Sequence, residues 1–111
     1  MQYSAKARYL RYSPYKLRPL VDVVRGKQVL KALQWLATCP MQRAVPIRKL
    51  IQSAVANAKD LDAIEQSNLI IAEIKIDNGP MFKYFKPGAM GRSTVLKKRL
   101  SHATVVLKSK V

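Results

Sequence analysis

GPMFKYFKPGAMGRSTVLKKRL, residues 79–100, holds six basic residues (Lys83, Lys86, Arg92, Lys97, Lys98 and Arg99) and no acid. Phe82, Tyr84 and Phe85 interleave with the charge, and three glycines and two prolines interrupt it. Its middle, KPGAMGRS, offers almost nothing from which to build a core. Yet NLIIAEIKID (68–77) precedes it, SHATVVLKS (101–109) follows it, and both read as strands. Two strands joined by such a segment predict one long β-hairpin whose far half cannot stabilise itself.

The reach of that hairpin sets its meaning. From Asn68 to Met90 and back to Leu107 is about 20 residues per arm, roughly 55–65 Å at ~3.3 Å per residue. A compact body made from the rest of a chain this size is only ~30 Å across. The tip therefore projects beyond the body. A projecting, positive, acid-free arm calls for a partner to order it, and polyanionic nucleic acid is the natural one. The competing reading is a disordered basic loop; the strand pattern that resumes beyond the segment argues against it.

Composition narrows the class. A chain of 111 residues suits one domain, 1–111, with a modest core, and a hydrophobic fraction of 49% marks it as folded. Lys+Arg number 21 against 6 Asp+Glu, a net charge of +15, which favours a standing anionic partner. No run of about 18 apolar residues is present, so no helical membrane span is expected. The opening MQYSAKARYLRYS lacks an apolar signal core, which argues against secretion. One cysteine, Cys39, excludes an internal disulfide and fits a reducing compartment.

Taken in order, YSAKARYLRY (3–12) alternates Ala5, Ala7 and Tyr9 with Lys6, Arg8 and Leu10, as a strand with one basic face does. Arg8, Arg11 and Tyr12 are candidate RNA contacts, because guanidinium groups bond phosphate and both groups stack on bases; a solvated strand edge accounts for them equally. Ser13-Pro14 opens a helix, Leu17, Leu20, Val21 and Val24 form its apolar face, and Gly26 stops it. Pro19 falls inside that pattern and is expected to bend or shorten it. Lys16, Arg18 and Arg25 lie off the apolar face, the first two near the positive end of the helix.

A second helix is expected over Val29–Thr38, with Val29, Ala32, Leu33 and Leu36 inward and Trp35 at the core rim. Cys39-Pro40 ends it, and Cys39 reads as a small apolar residue. The third helix, about Gln42 to Lys59, has the clearest stripe: Ile47, Leu50, Ile51, Ala54, Val55 and Ala58. DLDAIEQS (60–67) reads as a solvated acidic loop without the glycine turn or ligand spacing of a metal loop. Ile74 and Ile76 then alternate with Glu73, Lys75 and Asp77, as a half-buried strand should. From Asn78 to Val111 there are eight basic residues and no acid. The architecture these elements predict is α+β: a three-helix body on a short antiparallel sheet, with a long protruding β-hairpin at about 78–100.

Several blocks resemble one family. ARYLRYSPYKLRPLVDVVRGK (7–27), SAVANA (53–58), IDNGPMFKYFKP (76–87) and GRSTVLKKRLSHATVVL (91–107) are similar to the universal large-subunit ribosomal protein twenty-two family, in its bacterial and organellar form. The resemblance covers nearly the whole chain in order. It is most specific in Ser13, Pro14, Lys16 and Arg18, in the SAVANA helix, and in Ser101, His102, Thr104, Val105 and Val106.

The resemblance implies a role that composition does not reveal. Members of the family bind the large-subunit ribosomal RNA, support assembly beside other large-subunit ribosomal proteins, and lay the hairpin along the nascent-peptide exit tunnel. Hairpin changes in the family alter macrolide response and nascent-chain stalling. Carried over, the tip is Lys86, Pro87, Gly88, Ala89, Met90, Gly91, Arg92 and Ser93, facing the nascent polypeptide. The family tip is usually arginine-rich; Gly88 and Met90 stand where arginines are common, while Gly91 and Arg92 are kept.

The expected RNA-binding set is Lys6, Arg8, Arg11, Lys16, Arg18, Arg25, Lys83, Lys86, Arg92, Lys97, Lys98, Arg99 and His102. Recognition should be mainly of RNA shape. Phe82, Tyr84 and Phe85 are expected either to pack across the hairpin or to stack on extruded bases, with packing favoured for Phe82 and both readings open for Tyr84. No catalytic residue, metal or cofactor is expected: the six acids are scattered, and His102 has no evident acid–base partner. The rival classes are a small nuclease, which would need gathered carboxylates, and a DNA-bending architectural protein, which would be a stable dimer. The expected form is a monomer in the bacterial cytoplasmic ribosome, or in an organelle matrix, with no DNA or membrane partner.

Overall fold

In the computed structural model, residues 2–87 and 93–109 are described, with only the backbone path given for 81–98. β1 spans Gln2–Leu10, α1 Pro14–Val24, α2 Val29–Thr38, α3 Ala44–Asp62, β2 Leu69–Pro87 and β3 Ser93–Ser109. The sheet is antiparallel in the order β1-β3-β2. This is the predicted α+β architecture. Backbone pairing of β2 with β3 runs from Leu69↔Ser109 out to Pro87↔Ser93. The longest axis of the protein is 65 Å, against 25 and 18 Å for the others. The tip residues Gly88 to Arg92 lie outside the described residues, as do the side chains assigned to packing or stacking at Phe82, Tyr84 and Phe85.

Register decides which sheet residues meet the helices. Ala7, Ala103 and Ile76 are opposite one another, as are Ala5, Val105 and Ile74, and Tyr3, Leu107 and Ile71. Residues directly opposite share a face, and these nine are buried or half-buried in the core. Leu17, Leu20, Val21 and Val24 of α1, Val29, Ala32 and Leu36 of α2, and Ile47, Leu50, Ile51, Ala54 and Ala58 of α3 complete that core. Each fully buried leucine, isoleucine or valine contributes roughly 1.5–3 kcal/mol. Val55 and Trp35 are half-buried against the cluster, the rim position expected for the tryptophan.

Ser13 stands at the N-cap of α1 without a side-chain cap bond, its carbonyl accepting instead from the Lys16 N–H at 3.1 Å. Pro14 occupies the first helical position of α1, where no N–H is required. Gly26 turns the chain at φ +79°, a conformation glycine adopts without strain. Pro19 lies within α1 on its exposed side, and the helix continues past it to Val24. α3, however, runs on to Asp62 instead of stopping near Lys59. The Asp62 carboxylate accepts a hydrogen bond from the Tyr3 hydroxyl of β1, which ties the last turn of the helix to the sheet. Ala63 closes the end in the left-handed conformation, its N–H donating to the Lys59 carbonyl at 3.0 Å.

That tyrosine predicts an alkaline signature. The bond to Asp62, then burial and the negative charge of Asp62, push the Tyr3 hydroxyl from 10.0 up to about 12. A raised value means the proton is held more tightly in the folded state. Its contribution is complete below about pH 10 and is lost as pH rises toward about 12. The difference in thermal midpoint between the parent protein and Tyr3→Phe is therefore expected to shrink across that interval. A difference that stays constant to pH 12 would show that the Tyr3 proton does not contribute.

The outer edge of β2 is covered near its start, at Ile71 and Ile74. Gly26 N–H donates to the Ile71 carbonyl at 3.1 Å, and Ile71 N–H donates to the Lys27 carbonyl at 2.9 Å. Arg25 then donates from Nη2 and Nε to the Ile74 carbonyl, at 2.8 and 3.3 Å. Main-chain groups that would otherwise form an unpaired edge are thus satisfied by α1 and the turn after it.

Candidate nucleic-acid interface

The helices cover one face of the sheet and leave the other open. The same register that buries Ala103 and Val105 sets Lys6, Thr104 and Lys75 in one row on the open face, with Ser4, Val106 and Glu73 in the next. Lys6 and Lys75 are exposed. This open face carries Glu73 and Asp77 beside these lysines, and it runs on into the backbone of the acid-free hairpin. There the register puts Lys83 opposite Lys97 and Phe82 opposite Lys98. Like charges set directly opposite disfavour pairing by themselves and are relieved by a polyanion.

At the root of the hairpin the ladder changes step. Asn78 pairs with Ser101 and Met81 with Arg99, so Gly79 and Pro80 together face Leu100. This bulge bends the strand as it leaves the body. A cleft of about 230 Å³ opens there, lined by Pro14, Tyr15, Asn78, Gly79, Arg99 and Leu100. The guanidinium carbons of Arg18 and Arg99 stand 5.6 and 5.9 Å from the centre of the Tyr15 ring. Cation–π contact of this kind holds both guanidinium groups beside an exposed aromatic ring.

The expected RNA-binding residues thus fall into groups. Lys6, Arg8 and His102 lie at the open sheet face, and Arg11 is exposed just after β1. Lys16, Arg18 and Arg99 gather near the start of α1 and the hairpin root. Lys83, Lys86, Lys97 and Lys98 are placed along the hairpin by backbone only, and Arg92 lies outside the described residues. Arg25 stands apart, at the other end of α1. It bonds the Ile74 carbonyl and forms a 2.7 Å ion pair with Asp22, so its first role is to clamp helix to strand.

Two aromatic residues join this surface without having been singled out as contacts. Tyr15 is exposed between the two arginines. Tyr9 is also exposed; the strand alternation set it on the face of Ala5 and Ala7, but an irregularity in β1 turns it outward. Its only local signal was an aromatic beside Arg8, which any strand could carry. His102 is a half-buried strand residue whose Nδ1 accepts a hydrogen bond from the Tyr9 N–H at 3.1 Å. Among the described residues no group of three or more His, Cys, Asp or Glu side chains is gathered to hold a metal ion. No described helix is long and apolar enough to cross a membrane.

Comparison with known proteins places this chain in a family. The sequence pattern described as ribosomal protein L22p/L17e matches residues 5–108. A protein named large ribosomal subunit protein uL22 from Desulfitobacterium hafniense (strain Y51) is 47% identical over 109 residues, covering 98% of this chain and 96% of the relative. Its namesake from Syntrophotalea carbinolica is 46% identical over 110 residues, 99% of this chain and 100% of the relative. That from Desulforamulus reducens is 40% identical over 110 residues, 99% of this chain and 97% of the relative. With matches of this extent, the chain belongs to the ribosomal protein L22p/L17e family, that of large ribosomal subunit protein uL22, a family of structural ribosomal proteins and not of enzymes.

Proposed function

We propose that this chain is a single RNA-binding domain that binds large-subunit ribosomal RNA and supports assembly of the subunit. Its hairpin lies along the nascent-peptide exit tunnel, with the tip toward the nascent polypeptide. The observation that carries the binding reading is the helix-free sheet face, with Lys6 and Lys75, continuous with a hairpin that holds Lys83, Lys86, Lys97, Lys98 and Arg99 and no acid. A surface of this kind neutralises phosphates along folded RNA and reads its shape. The mechanism is binding, with Lys16, Arg18 and Arg99 anchoring the RNA at the hairpin root and Arg8, Arg11 and His102 at the sheet face. The working form is a monomer within the cytoplasmic ribosome, beside other large-subunit proteins. The tunnel placement rests on family membership.

Sedimentation of a native lysate through a sucrose gradient in high salt tests this reading. The protein is expected to remain with the large subunit. Release into the light fractions, or travel with the nucleoid, would overturn it in favour of a transient RNA or DNA arm.

A further inference from the structure

The first strand breaks its pattern at one residue. Ala7 pairs with Ala103 and Leu10 with Ser101, so β1 advances three residues while β3 advances two. The extra residue is absorbed at Tyr9, which takes φ +58°. That left-handed region suits glycine and strains a residue with a bulky side chain. Glycine would make the same turn without strain. Nor is the ring recovered by burial, because Tyr9 is 60% exposed.

What surrounds the ring is chemically specific. The His102 imidazole lies edge-to-face with it, centroids 5.0 Å apart and planes at 86°. The Tyr9 N–H donates to His102 Nδ1 at 3.1 Å. With Nδ1 accepting, the neutral imidazole carries its proton on Nε2. The ring is therefore braced from one side by a residue whose remaining nitrogen is a donor. Beside it a cleft of about 260 Å³ is lined by Lys6, Arg8, Asp77 and Thr104. That is slightly below the ~300–1,000 Å³ of sites for drug-sized ligands.

We propose that Tyr9 and His102 form a seat for one unpaired nucleobase of the bound RNA. The base stacks on the Tyr9 ring, Lys6 and Arg8 hold the flanking phosphates, and His102 Nε2 and the Asp77 carboxylate offer a donor and an acceptor to the base edge. The RNA chemistry fits, since unstacked bases are recognised by aromatic stacking and edge hydrogen bonds. The seat rests on the RNA-binding reading and deepens it, adding a contact to a base where the cations of the surface contact phosphate.

The test uses the full chain and a transcript of the large-subunit ribosomal RNA of the source organism, with binding measured across a salt series. Tyr9→Phe is expected to bind within about twofold of the parent. Tyr9→Leu and Tyr9→Gly are expected to bind about 5–150-fold more weakly, the worth of one base stack. Their salt slopes should match that of the parent, because a stack releases no counterions. Chemical probing should find one nucleotide protected by the parent and by Tyr9→Phe but not by the other two. Thermal unfolding of Tyr9→Gly should be at or above that of the parent, because the strained φ is relieved.

Equal affinity across all four proteins, with the parent slope kept, would overturn the seat while leaving RNA binding intact. A lower melting midpoint for Tyr9→Gly, with Tyr9→Leu binding like the parent, would make the ring a structural strut and overturn it as well. Loss of affinity with a flattened salt slope would assign Tyr9 to phosphate placement, against the proposal. No salt-dependent binding by the parent would remove the RNA reading and the seat together.

Discussion

Replacing Lys97, Lys98 and Arg99 together by alanine is expected to flatten the salt dependence of ribosomal RNA binding by about 2–3 units of log–log slope. Each phosphate neutralised contributes roughly 0.7–0.9 of a unit, and three cations are removed. The backbone of these residues runs along β3 at the base of the hairpin, opposite Lys83, Phe82 and Met81 in turn. Arg99 also stands 5.9 Å from the Tyr15 ring at the hairpin root. The variant should fold, because the helices and the inward face of the sheet lie elsewhere. Binding isotherms across a salt series give the result directly. An unchanged slope would show that the three cations face solvent, and the hairpin would lose its role as a cationic docking arm for RNA.

Gly79→Ala is expected to cost about 1–3 kcal/mol, the usual range for forcing an extra group into a filled site. A β-carbon at position 79 would lie 2.9 Å from the Leu100 carbonyl oxygen and 3.0 Å from its carbon. Both are backbone atoms of the central strand, so no side-chain rotation relieves the overlap. The strands must separate at the bulge, at the point where the hairpin leaves the body. The variant should unfold at a lower temperature and expose the amides flanking the bulge to faster hydrogen exchange. Parent-like exchange at residues 99–101 would mean that the bulge absorbs the methyl group without opening.

The parts of the fold that sequence makes legible are those set by local rules. Ser13-Pro14 and Gly26 bound α1, Cys39-Pro40 closes α2, and the six-residue stripe of α3 turns inward where its spacing says it should. The end of α3 was not legible, because acids in a last helical turn oppose the helix dipole and read as loop. The partner of Asp62, Tyr3, lies 59 residues away in sequence, and no local pattern contains it. Arg25 shows the same limit at the interface. From sequence it is one basic residue among many, and only the fold brings it to the Ile74 carbonyl. Tyr9 is the converse case, since strand alternation turned it inward and a single extra residue in β1 reverses it. The basic character of the surface was legible from composition, whereas its shape depends on which strands become neighbours.

The order β1-β3-β2 also constrains the birth of this protein. Synthesis delivers β1 and β2 first, yet neither pairs extensively with the other; both dock on β3, which emerges after them. At about 5–20 residues per second, the wait from first strand to central strand is roughly 5–20 s. Tyr3 from the start, then the apolar stripes of the three helices, then Ile71 and Ile74 as each is made, have no completed sheet to cover them until β3 arrives. Completion of the sheet therefore waits for β3, the strand on which both others dock.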